Sequence, residues 1–182
     1  SNSGEITLTS ELNFESQSQF TIQVVSSDGI NDMVQDVVIY VVNDNEAPSL
    51  NLDNFSVAEN ASTGTTLATA SGLDPEGADV SYFLSGTGSD NFQIDSSGNI
   101  TLSGNLDYET KQSYELTIFV SDGQFTVPKT ITVTVTDTNE APSVTSSVAF
   151  NSFQENTTVG TTIATSTGSD PEDDSIAYSL SG

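Results

Sequence analysis

YELTIFVSDGQFTVPKTITVTVTDTNEAP, residues 114–142, decides the fold. Tyr114, Leu116, Ile118 and Val120 alternate with Glu115, Thr117, Phe119 and Ser121, and Ile131, Val133 and Val135 alternate with threonines. A period of two puts all the apolar side chains of a strand on one face, and the β-branched content suits a pleated sheet. The SDG at 121–123 is a tight-turn signal between the two strands, and NEAP at 139–142 marks a connection. The stretch therefore predicts a long antiparallel hairpin followed by a linker.

Working outward, the same pattern occurs upstream. FTIQVVSSDGINDMVQDVVIYVVNDNEAP at 20–48 repeats it at an offset of 94, which also aligns SGEITL (3–8) with SGNITL (97–102) and LNFE (12–15) with LDYE (106–109). Downstream, AEN (58–60) aligns with QEN (154–156), GTT (64–66) with GTT (160–162), DPE (74–76) with DPE (170–172) and FLSG (83–86) with SLSG (179–182) at an offset of 96. Two residues are therefore inserted between Pro142 and Glu155. This frame makes 1–47 the later half of one repeat, 48–141 a complete repeat and 142–182 the early half of a third. It reads as a window on a longer tandem array, and the opening Ser1-Asn2-Ser3 includes residues that need not belong to it.

In the complete repeat FSVAEN, TTLATAS, VSYFLSG, FQID and NITL supply shorter strands, and DG, GN, SG and DPEG supply turns. No stretch carries a helical stripe. Seven or so short strands in about 95 residues describe an all-β Greek-key sandwich. The candidate core is Phe55, Val57, Leu67, Tyr82, Leu84, Phe92, Ile94, Ile100, Leu102, Leu106, Tyr114, Leu116, Ile118, Val120, Ile131, Val133 and Val135.

Charge then narrows the chemistry. The chain has 2 Lys+Arg against 26 Asp+Glu, no His and no Cys, for a net charge of −24. Two cations cannot neutralise a row of phosphates, so nucleic acid is excluded as a partner. An anionic membrane surface would repel the chain, and no apolar run reaches the ~20 residues of a membrane span. Without His or Cys there is no Ser-His-Asp or Cys-His nucleophile, no disulfide and no His/Cys zinc site. Oxygen-ligated hard cations remain, Ca²⁺ above all. The pair Asp107/Glu109 could in principle serve a two-carboxylate mechanism, but a repeated motif accounts for it and no aromatic cleft accompanies it. No catalytic residue is assigned.

The acids recur at fixed places: Glu59 after the first strand, Asp74 and Glu76 in the DPEG turn, Asp107 and Glu109 in LDYE, Asp122 after a long strand, and Asp137, Asn139 and Glu140 in the linker. This order (x-E-N, D-x-E, L-D-x-E, S-D-G, then D-x-N-E before Ala-Pro) resembles cadherin repeats, and DPEGADVSYFLSG with NEAP is more similar to bacterial cadherin-like repeats than to animal ones. The resemblance covers essentially the whole chain. It implies tandem cadherin-like (Ig-like) sandwiches in an elongated rod, with Ca²⁺ held where successive repeats meet. At the boundary near Pro142 it implies Glu59, Asp107 and Glu109 from upstream, Asp137, the Thr138 carbonyl, Asn139 and Glu140 from the linker, and Asp170 and Glu172 from downstream. At the boundary near Pro48 it implies Asn13 and Glu15, then Asn43, the Asp44 carbonyl, Asn45 and Glu46, then Asp74, Glu76 and Asp122. Asn13 and Asn43 stand where the second boundary has acids.

The function this implies is a calcium-rigidified segment of a large surface or secreted adhesin or stalk, extracellular, with neighbouring repeats as its partners. Two alternatives stay open. One is a filament subunit in which the half repeats of different chains complete each other. The other is a carbohydrate-binding accessory module of a secreted enzyme, with a surface glycan or protein as partner.

Overall fold

The computed structural model describes residues 4–181. Ser1–Ser3 and Gly182, which close the repeated stretches SGEITL and SLSG, lie outside the described residues. The chain is β throughout. Strands β1 (Gln19–Ser27) and β2 (Asp32–Tyr40) come first. Nine strands follow: β3 (Ser49–Asn51), β4 (Phe55–Ala58), β5 (Thr66–Thr69), β6 (Ser71–Leu73), β7 (Ser81–Ser85), β8 (Phe92–Ile94), β9 (Asn99–Leu102), β10 (Ser113–Ser121) and β11 (Thr126–Thr136). Two more, β12 (Ser143–Val148) and β13 (Ala164–Ser169), end the series.

Residues 49–136 form a two-layer sandwich. One sheet has the order β4-β11-β10-β7, and β3-β6 and β5-β9-β8 make up the facing layer. The quoted hairpin is its spine: β10 and β11 pair antiparallel from Ser113↔Thr134 to Ser121↔Thr126. The alternating residues meet between the layers, where Leu116, Ile118, Val120 and Val133 are fully enclosed. Burying one such side chain contributes about 1.5–3 kcal/mol. All the residues named above as core are buried or packed against it, the half-buried ones being Phe55, Leu67, Tyr82, Leu84 and Ile94. The second strand of the unit, β4, runs parallel to the last, β11, with Phe55–Ala58 beside Val133–Thr136.

TTLATAS, expected as one strand, is two. β5 pairs with β9, and after Ala70 the chain passes to β6, which pairs with β3. Ala70 is buried at the crossing and its N–H donates to the Gly98 carbonyl. Likewise DVVIYVV at 36–42 lies in a strand that starts earlier, at Asp32, and stops at Tyr40.

The flanking strands obey the same registers. Gln19↔Tyr40 at one end of β1–β2 is Ser113↔Thr134 shifted by 94. Ser143↔Ser169 in β12–β13 is Ser49↔Leu73 shifted by 94 and 96. The counterparts of β9 (5–8) and β7 (177–181) are not strands: in the central unit β9 pairs with β5 and β8, and β7 with β10, strands from other parts of the repeat.

One turn differs between equivalent positions. Gly77 closes the DPEG turn at φ 74, and its equivalent, Asp173 of DPED, sits at φ 60. A left-handed backbone costs a residue with a Cβ roughly 1 kcal/mol more than glycine. Asp173→Gly is therefore expected to stabilise the 170–174 turn by about 0.5–1 kcal/mol, raising amide-exchange protection of Asp173 and Asp174 about two- to fivefold. Unchanged or lower protection would contradict it.

Candidate metal centre

The carboxylates gather in two places, both where a linker meets the sandwich next to it. Oxygens of Glu15, Glu46 and Glu76 lie within 4.8 Å of one another near Pro48. Near Pro142 the same spacing links Glu59, Glu109 and Glu140, and Glu109, Asp137 and Glu172. Glu15, Glu46 and Glu76 are the repeat equivalents of Glu109, Glu140 and Glu172. A cleft of ≈ 330 Å³ opens at the second cluster between Glu59, Asp107, Glu109, Glu140 and Pro171.

Local structure explains how each acid reaches its place. Asp107 caps the turn after Leu106: its Oδ1 accepts the Thr110 N–H at 2.7 Å. That fixed turn aims Glu109. Asn13 does the same for the upstream unit, accepting the Ser16 N–H at 2.6 Å and so aiming Glu15. An amide oxygen caps a turn as a carboxylate does, so the Asn keeps the architecture while removing a charge. Asp122 accepts from Gln124 and Phe125 through Oδ1, at 2.7 and 2.6 Å, leaving Oδ2 for the Asn45 side-chain amide across the linker at 2.8 Å. Asp74 and Asp170 each fold their Pro-containing turn, accepting the N–H of Ala78 and Asp174, and this presents Glu76 and Glu172. The Glu172 Oε1 accepts the linker Glu140 N–H at 3.3 Å.

Glu59 is the buried member. Its Oε1 accepts the Thr138 N–H and its Oε2 accepts the Tyr108 N–H, both at 2.6 Å. One carboxylate thus clamps the linker and the LDYE turn to the sandwich. Thr138 is thus held to the sandwich through its N–H. Asn139 and Asn45 donate to the carbonyls of Glu140 and Glu46, holding equivalent linkers alike. Asn13, Asn43, Asp44, Asn45, Asp74, Asp107, Asp122, Thr138, Asn139 and Asp170 stand outside the three-carboxylate groups, several of them as the turn formers just described.

The electrostatics of the two clusters match. A hydrogen bond with Glu76 raises Glu46 from an ordinary value near 4.5 to about 7, helped by desolvation and by the charges of Glu15, Glu76 and Asp44. The same bond lowers Glu76. Glu140 is raised to about 7 by its hydrogen bond with Glu172, by desolvation and by Glu59, Glu172 and Glu109. Desolvation chiefly, then the charges of Glu59, Asp137 and Glu172, raises Glu109. Apart from a proton passed between neighbouring carboxylates, no donor among the described residues reaches the enclosed oxygens Asp74 Oδ2, Glu76 Oε1 and Oε2, Glu140 Oε2 and Glu172 Oε2, all at these boundaries. Each cluster, fully ionised, lacks positive charge. A shared proton supplies some of it, and an oxygen-seeking cation fits the same donor set.

The sign of the pH effect follows. Between about 4.5 and 7 the folded protein holds protons on Glu46 and Glu140 that the unfolded chain has released. Their contribution is complete below 4.5 and is lost as pH rises through 7. With chelator present, urea stability is expected to be lower at pH 8 than at pH 5, and carboxyl NMR shifts of Glu46 and Glu140 should titrate near 7. A profile rising over that window would contradict the assignment.

A family model described as a cadherin domain matches residues 53–138. The Fat-like cadherin-related tumor suppressor homolog of Drosophila melanogaster is 35% identical over 147 residues, which is 76% of this chain and 3% of that protein. Human protocadherin gamma-A4 is 38% identical over 139 residues, 70% of this chain and 14% of that protein. The chain thus spans a small part of these curated relatives. Among solved structures, the protocadherin gamma B2 extracellular cadherin domains 1–5 superpose with a TM-score of 0.58 at 27% identity, over 88% of this chain and 33% of that one. No helix among the described residues is long and apolar enough to cross a membrane. The cadherin-domain match, the cadherin and protocadherin relatives and the superposed protocadherin domains agree: the chain belongs to the cadherin repeat family.

Proposed function

We propose that this chain is a calcium-rigidified, extracellular segment of a large surface or secreted adhesin or stalk of the bacterial type, not an enzyme, in which residues 1–47, 48–141 and 142–182 belong to three consecutive repeats. The observation that carries it is the pair of equivalent carboxylate clusters, each holding some enclosed oxygens that no N–H or hydroxyl reaches. At the first boundary Glu15, Glu46 and Glu76 are the primary ligands, with Asn13, Asn43, Asp44, Asn45, Asp74 and Asp122 around them. At the second they are Glu59, Glu109, Asp137, Glu140 and Glu172, with Asp107, Thr138, Asn139 and Asp170 around them. Ca²⁺, when bound, supplies the positive charge that turns mutual repulsion into attraction. Two carboxylates ~4 Å apart repel by roughly 4 kcal/mol at an effective dielectric near 20. The turns capped by Asp74, Asp107, Asp122 and Asp170 hold the ligating oxygens in place, which leaves less side-chain entropy to lose on binding.

The second boundary is expected to bind more tightly, because it has Asp137 and Asp107 where the first has Asn43 and Asn13. Calorimetric Ca²⁺ titration of Glu140→Ala and Glu46→Ala tests both points. Glu140→Ala should remove the tighter site and Glu46→Ala the weaker. The reverse order would refute the ranking, and the absence of binding by the unmodified chain at millimolar Ca²⁺ would refute the function.

A further inference from the structure

The complete central sandwich leaves one sheet edge unguarded. In the order β4-β11-β10-β7, β7 is an end strand, and among the described residues no strand pairs with its far side. Unpaired N–H and C=O groups along such an edge template a further strand, so sheets guard their edges with short strands, bulges, prolines or charges. The other edges of this unit follow that practice. β3, β6 and β8 have three residues each, β5 is bulged between Thr66 and Ala68, and β4 has four residues flanked by Asp53 and Glu59. β7 has five residues and pairs with β10 without a register break. No charged residue stands from Val80 to Gly88, in a chain with 26 Asp+Glu. What this edge presents is aromatic. Phe83 is 47% exposed, and its ring stacks on that of Phe119 in the neighbouring strand at 4.6 Å and 7°. That separation matches the strand-to-strand spacing of about 4.8 Å, so the rings stack along the hydrogen-bonding direction. One face of the Phe83 ring meets Phe119, and the opposite face looks toward the open edge.

We propose that β7 pairs edge to edge with β7 of a second copy of this chain, antiparallel and about a two-fold axis at Phe83. A two-fold contact needs a surface complementary to itself. The strand meets that condition, because Ser81-Tyr82-Phe83-Leu84-Ser85 has the same pattern of side chains read in either direction. Antiparallel pairing in this register sets Phe83 opposite Phe83 of the second copy, Ser81 opposite Ser85, and Tyr82 opposite Leu84. Serines and phenylalanines then share the outer face, while Tyr82 and Leu84 stay on the core side of each sandwich. The Phe83–Phe119 stacks of the two copies join into a ladder of four rings across the joint. The contact uses no residue of either carboxylate cluster, so it stands apart from the calcium reading. Five residues a side make a small interface, weak for a single pair of units, which gains strength where two tandem arrays lie side by side and several units engage. The net charge of −24 on each copy opposes the contact, so association strengthens as salt rises.

The chain has no cysteine, so introduced thiols report the register. Mixing Ser81→Cys with Ser85→Cys under mild oxidation in physiological salt is expected to give a mixed disulfide dimer several-fold above either self-coupled product. Residues directly opposite on paired strands lie within disulfide reach, whereas position 81 of one copy is about 13 Å from position 81 of the other, four residues along the strand. Phe83→Lys should weaken self-association of the chain, measured by sedimentation, by about tenfold or more, and Phe83→Tyr should preserve it. Position 83 lies on the outer face, so both variants keep the core, and an unchanged far-ultraviolet spectrum verifies that they fold. A chain that stays monomeric at millimolar concentration, self-coupled products as abundant as the mixed one, or association as strong in Phe83→Lys as in the unmodified chain would each overturn the proposal.

Discussion

Glu59→Ala is expected to destabilise the central sandwich by about 3 kcal/mol or more, even in calcium-free buffer. Glu59 is 7% exposed, and both of its oxygens accept a backbone N–H at 2.6 Å, one from Tyr108 and one from Thr138. Hydrogen bonds to a charged group are worth roughly 1.5–3 kcal/mol each, and their loss leaves enclosed donors unpaired. The opposing effect is relief of repulsion from Glu109 and Glu140, which share its cluster. At an effective dielectric near 20 that repulsion is of order a few kcal/mol, but Glu140 is largely protonated below about 7, so at pH 6 the hydrogen bonds win. Glu59→Gln should fall between, since one amide oxygen can still accept but the amide nitrogen cannot. Urea unfolding at pH 6 checks the order; a cost below about 1 kcal/mol for the alanine variant would sink the clamp.

Chelation should have the second large effect. Extracellular Ca²⁺ modules bind at about 10⁻⁴–10⁻³ M, so ~10 mM Ca²⁺ stands about 10- to 100-fold above that range. Linkage then gives about 1.4–2.7 kcal/mol per site. For a unit of about 90 residues this raises Tm by roughly 5–20 °C. The calcium-loaded chain should also scatter as a stiffer object, because each cluster draws on residues from both sides of a linker. Identical melting and an identical radius of gyration with and without chelator would refute the calcium reading.

The fold was legible because hydrophobic alternation and sequence repetition report the same thing. Val133 and its neighbours in period two identify a strand, and the offset of 94 says which upstream strand must share its register. Legibility ended where the decisive fact was a choice of neighbour. Nothing in TTLATAS shows that Thr66–Thr69 pairs with one strand and Ser71–Leu73 with another. Leu52 and Ala70 are core residues that the alternation did not mark, one in a short connection and one at that crossing. At the clusters, motif spacing named the acids, but their separate tasks are three-dimensional. That Glu109 joins Asp137 and Glu172, or that Glu76 beside Glu46 holds the Glu46 carboxyl above the ordinary range, depends on distances between segments far apart in the chain.

The parallel pairing of Phe55–Ala58 with Val133–Thr136 also sets how the unit responds to tension. In a tandem array, force enters through the linker before β3, passes from that three-residue strand into β4, and leaves through the linker after β11. Because these strands run the same way side by side, pulling on the two linkers slides one along the other. All the hydrogen bonds between them then resist together, whereas an antiparallel terminal hairpin would open one bond at a time from its end. The Glu59 clamp on Thr138 lies just beyond this pair, on the exit side, and stiffens the point where the force leaves. A chain of such units can transmit pull along its length with each sandwich loaded in shear.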